Sequence, residues 1–90
     1  MTKTQALREL KGLFNNTRMV GNIKVAVVGW HDNKFKVIDE GVEFDTITKT
    51  VDTGKRNYFG TPIMEFSYKP IAEFYYQSEL ADYIVAHSKM

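Results

Sequence analysis

The run Val25-Ala26-Val27-Val28-Gly29-Trp30 constrains this chain more than any other segment. Four consecutive apolar residues, three of them β-branched, suit a strand from Ile23 to Trp30, and they place apolar groups on both of its faces. Such a strand belongs in the middle of a sheet with material packed above and below it. The run is also far short of the roughly 20 apolar residues needed to cross a bilayer.

The remaining elements are read around that strand. Leu7, Leu10, Leu13 and Phe14, with Ala6, recur at helical spacing, and Thr2 with Gln5 forms the pattern of a capping box. An amphipathic helix over 3–14 is expected, ended by Asn15 and Asn16. His31-Asp32-Asn33 makes a short connection to a strand carrying Phe35, Val37 and Ile38, and Asp39-Glu40-Gly41 makes the next turn.

From Val42 to Val51 the alternation is imperfect: Val42 and Phe44 share one face, Ile47 and Val51 the other. A third strand with a bulge near Asp45 and Thr46 is expected, closed by a turn at Asp52-Thr53-Gly54. The fourth strand runs from Ile63 to Lys69, with Met64, Phe66 and Tyr68 on one face and Pro62 at its start. After Pro70 the apolar phase slips, so a helical segment bearing Ile71, Phe74 and Tyr75 is expected to break at Ser78 before a second bearing Leu80 and Ile84.

The expected class is α+β: an N-terminal helix, a four-stranded antiparallel β-meander and one broken or two short C-terminal helices, in a single compact domain spanning 1–90. Ninety residues do not supply a second core.

Charge narrows the function classes. The formal net charge is only +1, but Lys3, Arg8, Lys11, Arg18 and Lys24 make the first stretch basic. Asp32, Asp39, Glu40, Glu43 and Asp45 make the next acidic, and Glu73, Glu79 and Asp82 do the same near the C-terminus. A protein built to hold a phosphate backbone carries a strong basic excess, whereas complementary patches suit a protein surface.

No cysteine is present, which removes disulfides, thiolate zinc sites and thiol nucleophiles and fits a reducing, cytoplasmic setting. His31 and His87 have no paired spacing, so no metal site is expected. His31-Asp32 is the one pair resembling a general base, but adjacent residues on an extended chain point apart and no motif places a nucleophile near them. No enzyme activity and no cofactor are expected.

The aromatic residues point to binding. Eight of the twelve lie from Tyr58 onward, and seven fall between Tyr58 and Tyr76, more ring area than so short a segment needs for a core. Tyr75, Tyr76 and Tyr83, interleaved with Glu79 and Asp82, cover both sides of a helix, so some of them face outward. These five are the candidate partner-binding residues of a small non-enzymatic module that occupies the surface of a larger protein.

A chain rich in Lys, Asn, Ile and Tyr suits an accessory protein of a phage or bacterial genome, and inhibition of a host or defence protein is one form of that reading. The alternative is single-stranded nucleic-acid binding by Lys55, Arg56, Tyr58 and Phe59, two cations beside two rings. Self-association is a third route.

Overall fold

The computed structural model describes residues 1–88. The chain forms α1 (Lys3–Leu10), β1 (Asn16–Val20), β2 (Ile23–Val27), β3 (Phe35–Ile38), α2 (Phe44–Ile47), β4 (Thr50–Arg56), β5 (Pro62–Phe66), β6 (Ala72–Phe74) and α3 (Gln77–His87). The architecture is α+β: an antiparallel four-stranded sheet in the order β1-β2-β3-β6, a separate β4–β5 ribbon, and a helix at each end of the chain.

β2 is central, as its two-faced apolar pattern requires. Ile23, Val25 and Val27 turn toward the helices and join Leu10, Leu13, Val37, Leu80 and Ile84 in the main core. Ala26 and Val28 turn the other way, with Ile38, into a second cluster roofed by Ile47 and flanked by Val42, Phe44, Phe66 and Tyr68. The sheet is thus covered by α1 and α3 on one side and by the α2 region and the root of β5 on the other.

The capping box at Thr2 and Gln5 forms as the sequence suggests, with reciprocal hydrogen bonds of 3.2 and 2.9 Å. α1 ends at Leu10, short of Phe14, and Gly12 takes the left-handed conformation at φ 79. Arg18, reaching across from β1, donates to the main-chain oxygens of Glu9 and Lys11 at 2.7 and 2.8 Å. One guanidinium thereby satisfies carbonyls that a helix end leaves without partners.

Three local expectations change. Val42 to Ile47 is a turn and one helical turn instead of a strand, and the strand begins only at Thr50. A helical turn brings Val42, Phe44 and Ile47 onto one apolar patch, which a bulged strand splits between faces. Ile71 to Phe74 is not helical: β6 pairs antiparallel with β3, with Ala72 and Phe74 on the main-core side and Glu73 on the other. The open edge of β3 offers this segment a ladder, and the Ile71 amide opens it by donating to the main-chain oxygen of Val37 at 2.8 Å. Ser78 accordingly does not cap a helix; α3 starts at Gln77, with Tyr76 as its N-cap.

The third change is an added strand. β1 pairs with β2 through the two-residue turn Gly21-Asn22, with Gly21 at φ 63. Its polar start, Asn16-Thr17-Arg18, hides it from hydrophobic patterning.

The ribbon is exposed along most of its length, and the molecule is correspondingly elongated, 49 × 23 × 19 Å. Gly54, at φ 81, sits in an irregularity of β4 between Asp52 and Arg56 and does not close the hairpin. The turn lies at Asn57 to Gly60, where the Asn57 side chain accepts from the amides of Phe59 and Thr61 at 2.9 and 3.0 Å.

Candidate functional site

Two sets of rings stand outside the core, at different places in the fold. The first follows β6. Tyr75 and Tyr76 link that edge strand to α3 and are 70% and 69% exposed, with Ile71 at 58% on the approach to the same strand. Because the link is short and tied at both ends, the rings are displayed from ordered backbone. Lys34 lies 4.6 Å over the Tyr75 ring and 3.5 Å from the Glu73 carboxylate, so cation, ring and acid hold one another in place.

Glu79 lies in the first turn of α3 and is exposed. Asp82 is exposed and pairs with Lys3 at 2.9 Å, tying α3 to α1. Tyr83 is half-buried, its ring 5.5 Å from Phe74 and 4.1 Å from His87. Of the five residues singled out from sequence, Tyr75, Tyr76 and Glu79 lie together at the start of α3, while Asp82 and Tyr83 are engaged within the fold. Ile71 adds to the surface, as does Lys34, which periodicity left unmarked; the pairing of β3 with β6 brings Lys34 beside Tyr75.

The second set is the ribbon tip. Tyr58 and Phe59 are 97% and 85% exposed, packed edge to face against each other at 5.4 Å. Arg56 donates to the main-chain oxygen of Gly60 at 3.2 Å, so this cation is partly used in holding the turn, while Lys55 is exposed. Along the shaft Asp52 shares a face with Met64, and Glu65 shares the opposite face with Val51. Each face therefore carries a carboxylate.

Between the two sets, under the second face of the sheet, lies a cavity of about 60 Å³ whose lining includes His31, Asp32, Lys36, Phe66, Tyr68 and Glu73. His31 and Asp32 do not point apart: the loop turns Nε2 of His31 to 3.6 Å from the Asp32 carboxylate. The carboxylate is already held by the buried ammonium of Lys36 at 2.6 Å and by the Lys34 amide at 3.1 Å. Burial raises the Asp32 pKa, but hydrogen bonds from Lys36 and Lys34 and the charges of Lys36 and His31 outweigh it and leave the pKa below the ordinary value.

The His31 ring meanwhile packs edge to face on Phe66 at 4.1 Å. Tyr68 donates to Asp39 Oδ2 at 2.9 Å and accepts from the Asp39 amide at 3.1 Å, and burial pushes its phenol pKa up. These bonds describe a structural clasp that fastens the root of the ribbon to the sheet. Among the described residues no three of His, Cys, Asp and Glu gather in a way that could hold a metal ion. No described helix is long and apolar enough to cross a membrane.

Comparison with protein-family models, curated proteins and solved structures finds no match to this chain.

Proposed function

We propose that this protein is a small non-enzymatic binding module that recognises a larger protein through the surface formed by Ile71, Tyr75, Tyr76 and Glu79. The observation that carries this reading is the pair of adjacent tyrosines, each about 70% exposed, displayed between an edge strand and a helix. Tyrosine offers large contact area at low entropic cost and a hydroxyl that tolerates water before binding, the properties that make it common at interface hot spots. Ile71 adds apolar area and Glu79 a rim charge that favours a partner with a basic border. A module of this kind inhibits by covering the surface its target uses for something else, and a phage or bacterial accessory protein is a natural setting for it.

The test is retention of a partner from nuclease-treated lysate by the wild-type protein and by a Tyr75→Ala, Tyr76→Ala variant. Loss of two interface tyrosines weakens binding by roughly 100-fold or more, while the melting temperature stays within a few degrees because neither ring is in the core. Equal retention by both proteins refutes this surface.

The exposed cations and rings at the ribbon tip favour a second reading, in which single-stranded nucleic acid stacks on Tyr58 and Phe59. It is the weaker one, since the shaft carboxylates interrupt any basic track leading from the tip. Retention that disappears with nuclease, and in a Lys55→Ala, Arg56→Ala variant, would establish it instead.

A further inference from the structure

An isolated two-stranded ribbon is marginal in water, and three or more strands are normally needed before such a sheet holds itself together. Here β4 and β5 stand exposed on both faces, and among the described residues neither outer edge has a neighbouring strand. The edges are not equivalent. β4 breaks its ladder between Asp52 and Arg56, where Gly54 has positive φ and the Asp52 and Thr53 side chains take the amides of Gly54 and Lys55. Interruptions and a charge of this kind guard an edge against pairing.

β5 runs without such a break from Pro62 to Phe66. The Ser67 amide donates to Lys49, and Glu65 faces Val51, so alternation turns the main-chain N–H and C=O of Met64 away from β4.

We propose that β5 pairs antiparallel with β5 of a second copy about a two-fold axis at Met64, fusing two ribbons into one four-stranded sheet. β5 is self-complementary in this register. Met64 meets Met64, Ile63 meets Glu65 and Pro62 meets Phe66, so no like charges are opposed, whereas centring the pair on Glu65 sets two carboxylates face to face. The amide that Pro62 lacks falls at the end of the paired stretch, where its absence costs least.

The same register carries each tip past the root of the other copy's ribbon. The rings of Tyr58 and Phe59 then come alongside Tyr68 of the second copy and its Trp30, which is 60% exposed and leans on Phe66 at 5.4 Å. The exposed Tyr58–Phe59 pair of one copy and the exposed Trp30 of the other thus cover each other. None of these residues belongs to the Tyr75–Tyr76 surface, so the dimer presents that surface twice, and a target with repeated sites is bound with avidity.

The decisive experiment is light-scattering mass across concentration, combined with cross-linking, which the absence of native cysteine makes clean. The expected mass is twice the 10.4 kDa of the chain at high concentration. A Met64→Cys chain is expected to form an intermolecular disulfide under mild oxidation, because residues facing each other across such an axis lie about 5.5 Å apart at Cα. A Thr50→Cys chain, on the guarded edge, is expected to stay uncross-linked.

Met64→Pro removes an outward amide without touching the β4 ladder and is expected to weaken dimerisation by about tenfold or more. A wild-type mass that stays at one chain up to about 1 mM overturns the proposal, as does equal cross-linking from the two cysteine positions. Since Met64→Pro leaves Tyr75 and Tyr76 in place, failure of the dimer and failure of the partner surface are read separately.

Discussion

Replacing Asp32 by alanine tests the ion pair with buried Lys36 beside the cavity. In the folded protein its carboxylate accepts from Lys36 at 2.6 Å and from the Lys34 amide at 3.1 Å. Lys36 is 7% exposed, so in Asp32→Ala its ammonium keeps its burial and loses its counter-charge. A hydrogen bond to a charged group is worth about 1.5–3 kcal/mol, and stripping one partner from a fully buried pair costs about 3–5 kcal/mol. The Asp32 side chain is 21% exposed, so water reaches the vacated site and the lower part of that span applies, about 2–3 kcal/mol.

For a domain of this size the loss lowers the melting temperature by about 10–20 °C, measured by circular dichroism at neutral pH. Asp32→Ala combined with Lys36→Met recovers most of it, because a matched apolar pair leaves no charge stranded.

The pH dependence has a definite sign. The folded pKa of Asp32 lies below its ordinary value, so its contribution is fully present above about pH 5 and is lost as the pH falls through the unfolded value toward the folded one. The stability gap between wild type and Asp32→Ala therefore narrows on acidification. A single variant within about 0.5 kcal/mol of wild type, or additive single and double variants, would refute the argument.

Further outcomes follow from packing. Leu80 is fully buried between α1 and the sheet, and Leu80→Ala is expected to cost about 2–5 kcal/mol in urea denaturation, whereas Val85→Ala, 40% exposed on the same helix, should cost under about 1 kcal/mol. A Cβ added at Gly29 falls 2.2 Å from the Phe14 ring, so the ring must swing aside. Because Phe14 is exposed and the clash is with the far end of its side chain, Gly29→Ala is expected to cost only about 1 kcal/mol. The cost should disappear in a Phe14→Ala background; a loss that persists there would place the strain in the backbone of the turn that follows β2.

The sequence is most legible where a signal is local and strong. Thr2 and Gln5 announced the capping box because both partners lie within one turn. The doubly apolar stretch at Val25 announced a central strand because each of its faces must be covered. The ring-rich C-terminal half pointed to exposed tyrosines, and Tyr75 and Tyr76 are exposed.

Its signals fail where the deciding partner is remote. The 71–74 segment carries enough apolar residues for a helix, and only the free edge of β3 makes it a strand. Asn16 to Arg18 has no hydrophobic pattern, yet β2 recruits it, and Arg18 repays the contact by capping α1.

The sequence by itself determined the class, the central strand, the capped first helix and the presence of surplus rings. Tertiary structure decided which rings face outward, that Tyr83 packs against Phe74, and that Lys34 supports Tyr75. The physical reason is range. Capping and periodicity act within a few residues, whereas strand edges, ion pairs and cavity linings join residues whose separation along the chain carries no trace of their meeting.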